Sequence, residues 1–412
     1  MKKRLQSVKS RVLLFLVVAG PGIITGNVDN DAGGIATYSV IGARFGFRML
    51  WILILITISL AIVQEMCARM GTVTGKGLAD LIRETFGVKT SILLLIPLVL
   101  ANLANTAGEF AGIAAGFEIF GLSRYIAVPL CALGVWWLVV RGSYKVVEKF
   151  YLFFCVLFAT YVLSGILARP DWGRVFRSTV RPTFSFDLEF VTIAITLIGT
   201  TIAPWMQFYQ QSAIRDKGLG VSDLPMSRVD TYIGSFLTNF VSFFIVVCCG
   251  AVLFPRGIMV DTADQAAVAL APLAGQYCSV LFAAGLINAS IMAASILPLT
   301  TAYAVAESIG LESSLEAKHA GARPFYVFYT LMVVIGAAVV LLPHADFMRI
   351  MLVSQTANGV LLPLVLIYML RLVNNKKLMG RYVNTRLENW ITVSQAVVLI
   401  ALTAVMLVRT IA

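Results

Sequence analysis

The sequence predicts an all-α polytopic membrane protein of about eleven transmembrane helices. Of its 412 residues, 59% are hydrophobic and only 13% charged, against about 25% charged in an average soluble domain. Apolar runs long enough to cross a bilayer recur from end to end. Two of those runs are interrupted near their centres, by "NVDNDAGG" (27–34) and "GTTIAPWMQ" (199–207). One transmembrane domain over 1–412 follows, with no soluble domain.

Taken in order, the spans fall at 12–43 (interrupted), 47–70, 91–120, 125–142, 144–168, 188–213 (interrupted), 231–254, 276–307, 324–343, 346–372 and 387–410. The opening "MKKRLQSVKSR" has the charge of a secretory signal, but no small-residue cleavage site follows, so it leads into an uncleaved first span. Between the second and third spans, "KGLADLIRET" (76–85) predicts a short amphipathic helix at the cytoplasmic surface. The longest loops are 169–187 and 255–275. The first of these is polar and Pro-punctuated, and is expected to be only loosely ordered. Of the 32 Lys and Arg, 22 fall in or beside loops on the N-terminal side of the membrane, which makes that side cytoplasmic. The net charge of +11 thus reports topology and no nucleic-acid partner.

Chemistry of other classes finds little to work with. Cys67, Cys131, Cys155, Cys248, Cys249 and Cys278 show no CxxC spacing and read as small buried hydrophobes. The two histidines, His319 and His344, lie in predicted loops. No HExxH, Cys/His cluster or Ser-His-Asp set is available, so the protein is not expected to be an enzyme.

The two interrupted spans open blocks of five, 12–168 and 188–372, with 387–410 as an extra C-terminal span. An odd number of spans per block inverts the second block relative to the first. Paired broken spans in two inverted halves point to a transporter's midplane site. Unwinding a helix in hydrocarbon strands N–H and C=O groups, which survive only against protein, water or a ligand. Asp31, beside Ala32, Gly33 and Gly34, places an anionic group among exposed carbonyls, a setting that suits a hard cation. The alternative is that 12–28 spans alone and "DNDAGG" is an outer loop; the matching break at Gly199, Thr200, Thr201 and Pro204 argues against it.

In the third span Asn102, Asn105, Thr106 and Glu109 share one helical face. Glu109, close to mid-membrane, serves either a cation or water pathway or a buried structural hydrogen bond. Gly108, Gly112 and Gly116 on another face predict close helix packing. Ser354, Gln355 and Asn358 share a face of the tenth span. There Gln355 either lends an oxygen to a cation or bonds a neighbouring helix. Asn288 and Ser290 read as packing residues.

The motifs "GPGIITGNVDNDAGGIATYSVIGARFGFRMLW", "QEMCARMGTVTGKGLADLIRETFG", "GEFAGIAAG", "LVSQTANGVLLP" and "LMGRYVN" resemble the Nramp divalent-metal transporters over nearly the whole chain. The resemblance implies a LeuT-type inverted repeat with unwound first and sixth spans, and gives Asp31 the role of the family's metal-binding aspartate. Departures from the family pattern are informative. The Pro and Asn of its first-span motif are Ala32 and Gly34 here. Its sixth-span Met and His are Ala203 and Trp205, a second His falls near Gln210, and the partner of Glu109 is Thr106. Losing the thioether removes a soft ligand that favours transition metals. Gly34 and Ala203 widen a pocket lined by oxygen, which suits an ion that keeps its waters, as Mg²⁺ does. Losing both histidines removes groups that titrate near neutrality. These changes resemble the Nramp-related magnesium transporters.

The expectation is therefore uptake of Mg²⁺, with Mn²⁺ as a second cargo, by alternating access across the cytoplasmic membrane of a prokaryote. The membrane potential drives it, without proton coupling or any cofactor, in a monomer in the lipid bilayer. Asp31, Thr200 and carbonyls at Gly34 and Ala203 contact the ion or its waters; Asn30, Gln207, Gln355, Asp29 and Glu109 stand behind them, with Thr106, Trp205 and Gln210 along the pathway. The rival readings are a proton-coupled Mn²⁺/Fe²⁺ carrier, an amino-acid transporter, whose substrate carboxylate Asp31 would repel, and a transport-dead receptor.

Overall fold

The computed structural model describes residues 20–141, 159–311 and 323–411. Expectations for the N-terminal segment, the start of the first span, most of the fifth, Cys155 and His319 lie outside them. Every described element is helical. The first span is two helices, α1 (Pro21–Val28) and α2 (Ala32–Phe45). There follow α3 (Leu50–Thr74), the short α4 (Leu78–Phe86), α5 (Val88–Ile119), α6 (Arg124–Arg141) and α7 (Ala159–Leu167). After α8 (Trp172–Val180) comes the divided sixth span, α9 (Leu188–Thr201) and α10 (Pro204–Asp216). Then follow α11 (Leu224–Val252), the one-turn α12 (Ala263–Ala267), α13 (Cys278–Ile309), α14 (Arg323–Val340), α15 (Phe347–Val373) and α16 (Arg386–Ile411).

Eight helical segments among the described residues are long and apolar enough to cross a membrane, the sixth span being one of them as Leu188–Asp216. Three of the eleven expected spans do not meet that measure. The first is two short helices, only Ala159–Leu167 of the fifth is described, and the ninth is short, at Pro324–Val340. The loop 169–187 is more ordered than its composition predicts. Asp171 accepts the Arg174 amide and starts α8, whose Val175 is buried while Phe176 and Val180 stay exposed. N-capping by Asp171 and an apolar face of Trp172, Val175 and Phe176 at helical spacing make that helix.

The core is built where the broken spans cross α5, α11, α13 and α15. Leu93, Leu100, Leu133 and Trp137 on α5 and α6 face outward, as expected of a surface solvated by lipid. Small residues set the closest approaches. A Cβ on Gly26 would lie 2.6 Å from the Gly234 carbonyl oxygen, and one on Gly22 would lie 2.7 Å from the Thr231 Cα, so α1 rests directly on the backbone of α11. Gly108, Gly112 and Gly116 let α5 meet Ser354, Ser290 and Ile287 in turn, which is the close packing their spacing predicts. Cys67, Cys248 and Cys249 are buried free thiols, and Cys131 and Cys278 are partly so.

Candidate metal site

The first break begins where α1 runs out at Val28 and ends where Asp31 caps α2. Asp31 is extended (φ −71°, ψ −179°), and its Oδ1 accepts the Gly34 amide at 2.6 Å. A carboxylate at a helix N-terminus also meets the positive end of the helix dipole. The next free amide, that of Ala32, is taken by Glu109, whose Oε2 accepts it at 3.1 Å. Glu109 is buried and its Oε1 has no partner among the described residues. Asp29 is 1% exposed, and neither carboxylate oxygen has a partner among the described residues.

The sixth span breaks at Ile202 and Ala203, between Thr201 and Pro204. Pro204 lacks an N–H and fits the first turn of α10. No side chain caps that helix. The Gln207 side-chain amide lies against the carbonyls of Pro204 and Ala203, and with its nitrogen turned toward them it donates at 2.7 and 2.9 Å, the orientation that satisfies both ends of the amide. Thr201 bonds back to the Leu197 carbonyl and to the Tyr38 hydroxyl. Thr200 is buried, and its hydroxyl has no partner among the described residues.

The two breaks meet at Gly34. A Cβ there would stand 2.8 Å from the Asp29 carbonyl oxygen, 3.2 Å from Asp31 Oδ1 and 3.5 Å from Thr200 Oγ1. A carbonyl, a carboxylate and a hydroxyl therefore converge on one face of a residue with no side chain. All are hard oxygen donors, the set that binds Mg²⁺, Ca²⁺ or Mn²⁺ and holds soft metals poorly.

Behind them runs a polar relay. Gln355 Nε2 donates to both Asp31 oxygens at 3.3 Å, and its Oε1 accepts from Asn358 at 2.9 Å. Asn358 and Asn105 exchange two hydrogen bonds of 2.8 and 3.2 Å. Gln355 thus orients the carboxylate and has no oxygen left facing an ion. A Cβ on Gly33 would run into its amide.

Several expected site residues point elsewhere. Asn30 donates to the Thr238 carbonyl (3.3 Å) and accepts from Ser242 (3.0 Å), so it ties the break to α11. Outside a regular helix, the facing of one residue does not predict that of the next. Thr106 bonds back to the Asn102 carbonyl and packs its methyl against Gly336. Gln207 and the Ala203 carbonyl satisfy each other. Trp205 is buried with its ring 6.4 Å from that of Tyr209, and Gln210 donates to Thr231 at 2.8 Å.

Sequence reasoning missed Asp230. It lies one residue before the predicted seventh span, yet on α11 it is buried and accepts the amides of Gly22 (2.7 Å), Gly20 (3.1 Å) and Ile23 (3.3 Å). It caps α1 from another span. Pro21, which opens α1 without a capping side chain beside it, was the signal that a distant anion was needed.

Residues 22–409 match the family described as natural resistance-associated macrophage protein-like, or Nramp. The divalent metal cation transporter MntH of Bacillus subtilis is 24% identical over 405 residues, covering 95% of this chain and 92% of that protein. MntH of Klebsiella pneumoniae is 26% identical over 384 residues, covering 90% and 89%. In fold, the manganese transporter of Eremococcus coleocola aligns with a TM-score of 0.79 at 22% identity, over 96% of this chain and 86% of that one. The nucleobase-cation symporter Mhp1 aligns at 0.60 with 14% identity, over 95% and 91%. The chain belongs to the Nramp family of membrane divalent-metal transporters.

Proposed function

We propose that this member of the family carries Mg²⁺, with Mn²⁺ as a second cargo, into a prokaryotic cell. In this reading the N-terminus is cytoplasmic, the halves 12–168 and 188–372 are inverted repeats, and the membrane potential supplies the driving force. The observation that carries the reading is the Gly34 face. Its donors are all oxygen, the sixth-span residue that reaches it is Thr200, and the sequence carries Ala203 where the resemblance implies a thioether. Mg²⁺ is a hard cation that takes oxygen ligands, so an all-oxygen donor set without a thioether favours it over a softer transition metal.

The energetics suffice without protons. A potential of 100 mV supplies about 2.3 kcal/mol per charge, so roughly 4.6 kcal/mol for a divalent ion. At about 1.4 kcal/mol per tenfold, that accumulates the ion on the order of a thousandfold. The second reading, proton-coupled Mn²⁺ transport, draws on the similarity to manganese transporters and on carboxylate oxygens of Asp29 and Glu109 that have no partner among the described residues.

Proteoliposomes loaded with Mg²⁺-, Mn²⁺- and pH-sensitive dyes, with and without an imposed potential, separate the two readings. Mg²⁺ entry that follows the potential without acidification is expected. Entry of Mn²⁺ alone, with acidification, sinks the proposal. Asp31→Ala removes the anchoring charge and should lower uptake by at least about a hundredfold, the scale of losing a buried charge-assisted ligand set.

A further inference from the structure

Away from the metal site, two clusters of charge have the same layout at the two ends of the bundle. Arg44 is the penultimate residue of α2, the second half of the first broken span. It reaches Glu189 in the first turn of α9 (2.8 Å) and Asp261, two residues before α12 (3.6 Å). Arg215 is the penultimate residue of α10, the second half of the other broken span. It reaches Glu307 near the end of α13 (2.8 Å) and Asp80 on α4 (3.5 Å). Glu189 opens the span that Arg215 closes, so the clusters lie at opposite ends. Each arginine also bridges to the connector between the second and third spans of the other block: α4 in one case, the α12 segment in the other.

The clusters differ in depth. At the Arg44 end the side-chain exposures are 30% for the arginine, 54% for Glu189 and 65% for Asp261. At the Arg215 end they are 18% for the arginine, 18% for Asp80 and 1% for Glu307. Glu307 also accepts the Ser212 hydroxyl at 2.7 Å and closes over Gly77, where a Cβ would collide with its carboxylate. Arg83 of α4 donates to the Glu307 carbonyl at 2.6 Å, and Gln211 of α10 to the Lys76 carbonyl at 2.9 Å. Exposed ion pairs contribute little and are screened by salt. A buried pair resists screening, and breaking it strands a charge.

We propose that Arg44 and Arg215 are the paired latches of alternating access, and that their unequal burial fixes the resting state, shut at the Arg215 end and first to open at the Arg44 end. This rests on the transport direction proposed above only for naming Arg44 the outer end. With that orientation, the empty carrier waits for ions from outside.

Hydrogen exchange of the full chain in nanodiscs, read at 78–86 and 261–267 and paired with uptake into proteoliposomes, tests the proposal. Arg215→Gln should raise exchange across 78–86 and slow uptake by at least about tenfold, as for rupture of a buried pair. Arg44→Gln should raise exchange only at 261–267 and change uptake by no more than about fivefold. Raising the salt should reproduce Arg44→Gln and leave 78–86 untouched. Asp80→Asn, at the more exposed edge of the same latch, should move 78–86 in the same direction as Arg215→Gln if the arginine variant does not fold. Equal effects at the two ends, or unchanged exchange at 78–86 in folded Arg215→Gln and Asp80→Asn, overturn the proposal. Exchange is read without reference to the ion carried, so a failed Mg²⁺ reading leaves it intact.

Discussion

The two broken spans solve one physical problem with opposite chemistry. Opening a helix in hydrocarbon frees amides on one side of the gap and carbonyls on the other. In the first span acids satisfy the amides: Asp230 at the start of α1, then Asp31 and Glu109 at the start of α2. In the sixth span the work is neutral. Pro204 removes an amide, and Gln207 turns its own amide onto two carbonyls. One break therefore concentrates negative charge, while the other contributes a hydroxyl, that of Thr200, with no partner among the described residues. On the proposed reading, the first break supplies the charge that would hold a divalent cation and the sixth adds a neutral oxygen.

Substitutions can break this division of labour, and the acidic wall should be the more sensitive. Glu109→Ala leaves the Ala32 amide unpaired in the interior, a loss of about 1–3 kcal/mol. Uptake should fall roughly tenfold to a hundredfold on that scale, and Glu109→Gln should recover much of it because an amide oxygen still accepts the bond. If Gln and Ala variants are equally impaired in flux assays, the carboxylate acts through its charge or proton and not as a cap.

On the neutral wall, Ala203→Met restores a soft donor and fills space. Competition between Mn²⁺ and Mg²⁺ in proteoliposomes should shift toward Mn²⁺ by about tenfold, in line with thioether preference. An unchanged ratio means that residue 203 does not face the ion. The smallest effect is expected for Gln207→Ala. The Ala203 carbonyl keeps its bond from the Met206 amide at 3.0 Å, and carbonyls tolerate a lost partner better than amides do. Uptake should change by no more than about threefold, a net hydrogen bond's worth.

Much of this division was legible in the sequence because the breaks interrupt otherwise continuous apolar runs. Gly and Asp in 27–34, and Gly, Thr and Pro in 199–207, stand out against such a background, and the structure divides the spans at 29–31 and 202–203. The face shared by Asn105 and Glu109 was readable from helical periodicity. Long-range partnerships were not. Asp230 capping α1, Gln355 giving its nitrogen and not its oxygen, and Arg215 meeting Asp80 all join residues far apart in sequence. No local pattern records which of two amide ends will face a neighbour. Asn30 was misplaced for a related reason: its segment is not helical, so no period governs its direction.

Asp31 holds two things with one group. Its Oδ1 completes the first turn of α2 through the Gly34 amide, and the same carboxylate is the negative charge nearest the Gly34 face. On the proposed reading, a cation bound there would draw electron density from that oxygen and loosen the turn it caps. Because such coupling is reciprocal, tightening the turn would then weaken the hold on the ion. Affinity is therefore adjustable without touching a ligand, through residues that stiffen or relax the opening of α2. A carrier that must release its cargo every cycle gains from an anchor whose grip is shared with its own backbone.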